Sequence, residues 1–262
     1  MIRHTFSILK GIGEGLERKL WKKGILHWGD FISTPRIGFI NEERKTLFNE
    51  TLVDAARHLS AGNPGFFARR LKPREHWRLY EEFRENAVCL DIETNGYPHW
   101  SGGYVTVVGL YDGHGYKAFV RGEDLSAENL KKELSRYKYL ITFFGSGFDM
   151  PFLKESLGVT FEGAHFDLCF GARRAGLKGG LKKIEDELGI PRDESVKGLD
   201  GYDAVKLWRE AIHGNRDAYE LLIAYNRYDT VNLYALSGMI YKRLRACSGI
   251  EDYLLGIEEY LN

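Results

Sequence analysis

Val88-Cys89-Leu90-Asp91-Ile92-Glu93-Thr94 is the stretch on which the reading of this chain turns. It begins as a short apolar run, as a strand buried on both faces does. It ends with two carboxylates separated by an isoleucine. Alternate side chains of a strand share a face, so Asp91 and Glu93 point one way and Ile92 the other. Two adjacent carboxylates repel each other and cost stability unless a cation holds them. Mg²⁺ and Mn²⁺ are the ions that prefer such oxygen donors. An Asp-x-Glu at a strand end is also a common pattern of solvated charge, so the pair needs company before it means a metal site.

Company comes from two further acids. Asp149 follows an apolar run and a glycine-rich loop in Ile141-Thr142-Phe143-Phe144-Gly145-Ser146-Gly147-Phe148-Asp149. An Asp in that setting also serves as a helix N-cap. Asp229 sits in Ala224-Tyr225-Asn226-Arg227-Tyr228-Asp229, inside a long helical pattern. By itself it reads as a water-facing helix residue, and Tyr225 as a half-buried aromatic. Around these acids the pattern predicts strands over 87–92, 104–111, 116–121, 139–144 and 165–168. Helices are expected over 126–136 and 149–157, and from 179 to 245 with breaks near 189–191 and 198–201. This mixture makes the chain α/β.

In order, spacing and flanking residues, 86–245 resembles the DEDD superfamily of 3′→5′ exonucleases. Asp91 and Glu93 match its first motif, Phe148-Asp149 the second, and Tyr225 with Asp229 the third. Position 224 is Ala and 225 is Tyr, which resembles the tyrosine subclass. Phe166-Asp167-Leu168, Gly180-Leu181-Lys182-Lys183-Ile184, Leu188-Gly189-Ile190 and the run from Ala204 to Trp208 are similar to the YprB-like branch of ribonuclease-H-like proteins. The resemblance implies a ribonuclease-H-like mixed five-stranded sheet flanked by helices, preceded by a small helical N-terminal segment. It also implies two divalent ions, Mg²⁺ or Mn²⁺, about 3.5–4 Å apart across the scissile phosphate. Asp91 would bridge them, Glu93 and Asp229 would hold the ion with the attacking water, Asp149 the other, and Tyr225 would orient the nucleophile. One departure stands out. Phe144-Gly145 replaces the Asn-Gly often found before the second motif's Phe-Asp, so a ring able to stack on a base stands where an amide would hydrogen-bond.

Upstream, residues 1–84 carry 16 Lys/Arg against 10 Asp/Glu, a balance of +6, and the remainder carries −6. A basic segment beside an acidic one suits a polyanion-binding arm next to a carboxylate site, and chance produces the same asymmetry. Within 6–32, Lys10-Gly11-Ile12-Gly13 followed by Leu16, Leu20 and Trp21 predicts a tight turn and a short helix, with a second short helix near Trp28. This stretch resembles a helix-hairpin-helix motif, which implies phosphate contact at Lys10, Gly11 and Gly13; such motifs also dock proteins. Residues 41–60 read as an amphipathic helix with Leu47, Phe48, Leu52, Val53 and Ala56 on one side, 61–75 as a basic connector, and 74–85 as a helix. Arg69-Arg70-Leu71-Lys72-Pro73-Arg74 is one candidate stretch for tracking a nucleic-acid strand, and Arg173, Arg174 and Lys178 with Lys182 and Lys183, which lie between matched motifs, are another, with Phe144 as a stacking platform. The expected domains are 1–85, an exonuclease domain over 86–245, and a tail over 246–262.

The exclusions are plain. No run approaches the roughly 18 apolar residues of a membrane span. Cys89, Cys169 and Cys247 are scattered, which fits free thiols in a reducing cytoplasm and gives no zinc signature. There is no phosphate-binding Gly-x4-Gly-Lys-Ser/Thr loop. The expected partner is nucleic acid with single-stranded DNA or RNA ends, DNA slightly preferred; protein partners are not indicated. A structure-specific endonuclease on the same fold and a catalytically silent nucleic-acid-binding protein are the competing readings.

Overall fold

The structure, a computed structural model, describes residues 1–258. Five strands form one mixed sheet: β1 (Ala87–Thr94), β2 (Val105–Tyr111), β3 (Tyr116–Val120), β4 (Tyr139–Thr142) and β5 (Ala164–Asp167). Their order is β3-β2-β1-β4-β5. β1 runs antiparallel to β2 and parallel to β4, and β5 continues the parallel side. The β2–β3 hairpin closes through Asp112, whose carboxylate accepts from the His114 and Gly115 amides, with Gly113 at φ +92°. These strands fall where the sequence predicts them, with one instructive exception. β4 stops at Thr142 rather than 144, because Phe144 takes a left-handed backbone at φ +66°.

Twelve helices surround the sheet among the described residues. The N-terminal ones are α1 (Glu14–Trp21), α2 (Trp28–Ser33), α3 (Glu42–Ser60), α4 (Pro64–Ala68) and α5 (Tyr80–Phe83). The remainder are α6 (Ala127–Leu134), α7 (Asp149–Leu157), α8 (Leu168–Arg174), α9 (Leu181–Leu188), α10 (Gly201–Ala211), α11 (Arg216–Ser248) and α12 (Glu251–Glu258). The predicted 74–85 helix is instead a 3₁₀ helix over Pro73–Leu79 and the single turn of α5. On α3 the buried face is Phe48, Leu52, Ala55 and Leu59, while Leu47 and Val53 face outward. The expected face was one residue out of register, because two exposed aliphatics imitate the apolar stripe.

The alternation of β1 sorts the core. Val88, Leu90 and Ile92 face α6 and α7 and pack with Leu130, Leu134, Phe152 and Leu153. Cys89 faces the other way, toward α11, in a cluster that runs unbroken through Leu236 and Ile240 into the N-terminal segment at Trp21, Phe31, Phe48 and Trp77. The first 85 residues therefore share a core with the sheet. The amine of Met1 is held by Glu81 at 2.8 Å, and the Tyr139 hydroxyl donates to the His76 carbonyl at 2.8 Å. Arg78, with a side chain 2% exposed, joins Glu17 of α1 at 2.9 Å to Glu75 at 2.7 Å. Asp91 and Glu93 leave the sheet on the α11 side, at the end where β4 has already stopped.

Candidate active site

Three carboxylates meet where β1 passes under α11. Asp91, Glu93 and Asp229 can each bring an oxygen within 4.8 Å of the others. The strand supplies the first two by alternation, and one turn of α11 supplies the third. Asn226 lies three residues before Asp229, on the same helix face. Its amide donates to Asp91 at 2.9 Å and reaches Glu93 at 3.4 Å, while its carbonyl accepts from the Tyr116 hydroxyl at 2.8 Å. Gly109, the β2 partner of Asp91, makes this approach possible. A Cβ there would lie 2.1 Å from Asn226 Oδ1 and 2.4 Å from Thr230 Oγ1.

Asp149 joins the site from the opposite wall. It is the first residue of α7 and caps nothing with its side chain, so the capping alternative is set aside. Its Oδ1 accepts from the backbone N–H of Ile92 at 3.2 Å. That amide is available because β4 pairs with β1 only as far as Cys89↔Ile141. Burial pushes the Asp149 carboxyl up to about 7. Burial, then neighbouring carboxylates, raise Asp91 and Glu93 well above the usual carboxylate range. A dry cluster of acids that resists ionisation is the electrostatic complement of a hard divalent cation, and its all-oxygen donor set fits one.

Tyr225 lines the same cleft. Its oxygen accepts from the Lys182 ammonium at 2.8 Å, and Lys182 also donates to the Leu199 carbonyl. Burial and the nearby Asp229, Glu93 and Asp91 raise the Tyr225 pKa, so the phenol keeps its proton. Arg192 meets Asp229 from behind and donates to Glu185 at 2.5 Å.

The cleft above these groups holds about 750 Å³ and is walled by Tyr97, His99, Trp100, Phe144, Phe148 and Phe152. Trp100 is 78% exposed and Tyr97 52%, so these two rings are surface, whereas Phe152 belongs to the core. A second groove of about 1000 Å³ shares Phe143, Phe144 and Gly201 with the cleft and carries Arg173, Lys178, Gly179 and Gly180. Phe144 thus stands between the two. Its loop is pinned by Asp167, which accepts from the Phe144 amide at 2.9 Å and the Ser146 amide at 3.0 Å.

Not every expected residue reaches the cleft. Arg174 turns away and pairs with Glu75 at 2.7 Å. Lys10, Gly11 and Gly13 lie in the N-terminal segment and do not line it. Gly11 takes φ +86° and Gly13 caps α1, as a tight turn before a helix requires, and the Lys10 carbonyl accepts from Arg44 at 3.2 Å. The sequence does not single out Asn226, Gly109 or Arg192, while Asp167 and Lys182 enter it only in the stretches that carry the family resemblance and, for Lys182, as a basic candidate for strand tracking. Only Asn226 had a local signal, its spacing from Asp229.

A mixed five-stranded sheet with carboxylates at the end of its central strand and on the covering helix is the ribonuclease-H-like fold. Residues 88–241 match the RNase_H_2 family of the RNase_H superfamily, and the chain belongs to that superfamily. Among solved structures, NrnC of Brucella melitensis is similar at 22% identity and a TM-score of 0.48, over 66% of this chain and 81% of that one. The family B DNA polymerase of the hyperthermophilic archaeon Pyrobaculum calidifontis is similar at 15% identity and a TM-score of 0.47, over 59% of this chain. This chain covers 24% of that polymerase. No curated protein matches the sequence significantly. Among the described residues no helix is long and apolar enough to cross a membrane.

Proposed function

We propose that this protein is a metal-dependent 3′→5′ exonuclease of the DEDD type, tyrosine subclass, acting on single-stranded nucleic-acid ends with DNA slightly preferred over RNA. The observation that carries the proposal is the convergence of Asp91, Glu93 and Asp229, with Asp149 and Tyr225 lining the same aromatic-walled cleft. Asp91, Glu93 and Asp229 would hold one divalent cation, Mg²⁺ or Mn²⁺, and Asp149 with Asp91 a second. Such ions supply Lewis acidity at phosphate oxygens and lower the pKa of water.

The chain's own residues supply the rest. Tyr225, kept protonated, donates a hydrogen bond to the attacking water and fixes its approach. Lys182 holds the phenol by its oxygen, beside Asp229. Asn226 keeps Asp91 and Glu93 facing α11. The exposed rings stack on unpaired bases, a contact open to any sequence. Arg173 and Lys178 attract the phosphates of the strand lying in the neighbouring groove. The glycine turn of the N-terminal segment, with Lys10, offers a second, remote phosphate contact. Its helix-hairpin-helix character is part of the proposal, as is a cytoplasmic location.

The test is cleavage of 5′-labelled single-stranded DNA and RNA in Mn²⁺, Mg²⁺ or EDTA, beside Asp91→Asn. The expected result is a metal-dependent ladder shortening from the 3′ end, lost in the variant. Cleavage of circular substrates would instead establish an endonuclease. Binding without cleavage by the wild type would establish a silent nucleic-acid-binding protein.

A further inference from the structure

The acidic cluster has a protein cation built against it. Arg192 lies in the loop after α9, and its side chain is 7% exposed. Its Nε donates to Glu185 at 2.5 Å, and its Nη1 meets the Asp229 carboxylate. Among the described residues neither Nη atom, nor Asp229 Oδ1, has a well-aligned hydrogen bond. The contact is thus charge against charge rather than a docked fork. Asn232 of α11 donates to the Pro191 carbonyl at 3.3 Å and ties this loop to the helix that carries Asp229.

An arginine in this position is unusual in what it can do. It cannot give up its proton, so its charge is permanent. A buried guanidinium needs carboxylate partners, and the two it has are unequal in duty. Glu185 belongs to no other cluster, while Asp229 belongs to the metal site. Resting on the metal-site reading above, we propose that Arg192 is the resident counter-cation of this site. It holds Asp229 when no metal is bound, and it weakens the metal's grip by drawing on the same carboxylate. Glu185 sets how strongly Arg192 leans on Asp229.

The two roles make opposite signs measurable. Arg192→Gln removes the competing charge, so Mn²⁺ binds more tightly. At this range a unit charge acting on a divalent ion, at an effective dielectric of about 20, makes the change at least tenfold. The same variant loses the tether of Asp229, so it melts lower in EDTA and regains more on adding Mn²⁺ than the wild type does. Glu185→Gln leaves Arg192 with Asp229 alone, so Mn²⁺ binds several-fold more weakly. Arg192→Lys keeps the charge and falls between wild type and Arg192→Gln.

The experiment is Mn²⁺ binding to the full chain by electron paramagnetic resonance, with thermal unfolding in EDTA and in Mn²⁺. Tighter binding in Arg192→Gln with weaker binding in Glu185→Gln is the expected pair, and damage to the fold cannot produce that reversal. If Arg192→Gln does not fold, tighter binding in Arg192→Lys beside weaker binding in Glu185→Gln supplies the same reversal, and its absence overturns the inference. Any other pattern in a wild type that binds Mn²⁺ overturns this inference and leaves the metal site standing. A wild type that takes up no Mn²⁺ overturns the metal reading, and this inference with it.

Discussion

Phe144→Asn separates strain from function at the mouth of the cleft. Phe144 is the one non-glycine residue with a positive φ among the described residues, at +66°. The left-handed region costs an ordinary L-residue about 1–2 kcal/mol, and Asn visits it more cheaply. The surrounding loop enforces the conformation: Asp167 grips the amides of Phe144 and Ser146, and the Gly147 and Phe148 amides both donate to the Phe144 carbonyl at 3.0 Å. The ring lies over Gly147, where a Cβ would come within 2.6 Å of it, and sits 6.1 Å from Phe170. Yet it stays 43% exposed, so little burial is recovered. Asn at this position should therefore leave stability unchanged or raise it by about 0.5–1 kcal/mol. Phe144→Ala, which loses the ring and keeps the penalty, should be less stable than the Asn variant by about 1 kcal/mol. Stacking on a base is worth about 1–3 kcal/mol, so both variants should lose roughly 5- to 150-fold in kcat/KM on single-stranded 3′ ends. Urea unfolding and steady-state kinetics on a short labelled oligonucleotide measure the two effects. Equal stability of the Asn and Ala variants would refute the strain argument. An unchanged kcat/KM would refute the stacking role.

Four more outcomes follow from the same geometry. Asp229→Asn should abolish metal-dependent cleavage while the far-ultraviolet circular dichroism stays native; retained activity would remove Asp229 from the site. Stability in EDTA should fall as pH rises from about 4 to 7. Buried Asp149, raised to about 7, and the raised Asp91 and Glu93 bind more protons folded than unfolded across that window, so their ionisation opposes folding. Mn²⁺ should flatten the slope in melting temperature, and a flat profile without metal would contradict the burial of these groups. Arg78→Ala leaves Glu17 buried and unpaired and should cost about 3–5 kcal/mol in urea unfolding; a loss under about 1 kcal/mol would show that the bridge to α1 carries no stability. Gly109→Ala should cost about 1–3 kcal/mol by overpacking and, by displacing Asn226, lower activity far more than Ala substitution at exposed Gly115.

How much of this was legible follows from which features are local. The alternation in β1 fixed the face of Asp91 and Glu93, because a period of two needs no partner to be read. The long helical pattern around Asp229 was equally local. Asp149 was legible as a candidate but not in its contact, since the Ile92 amide is free only because β4 ends early. That early end comes from Phe144, whose left-handed backbone no rule for phenylalanine anticipates. The 74–85 helix failed because Trp77, Arg78 and Leu79 are bound into the core as a 3₁₀ segment by contacts far along the chain. Arg192, and the contact of Lys182 with Tyr225, were hidden for the same reason. Nothing in their neighbourhood of sequence says that the segment after α8 folds back over α11.

The site is best understood as a conflict that the fold contains. Buried carboxylates repel, and proximity makes them repel harder, yet the proposed chemistry demands proximity. Gly109 lets α11 come close enough for the acids to meet. Asn226 then spans Asp91 and Glu93 with a single neutral amide, which satisfies them without neutralising them. Ile92 gives Asp149 a backbone N–H in place of a charge. Only Asp229 receives a full cation, Arg192, and that cation is divided with Glu185. The acids are thus held by partners too weak or too shared to extinguish their negative potential. A site stabilised by strong lysine or arginine pairs on every acid would fold more easily and attract a divalent ion less. The shared core between the N-terminal segment and α11 supplies rigidity on the side where the acids supply none, which is why Leu233, Leu236 and Ile240 follow Asp229 directly on the same helix.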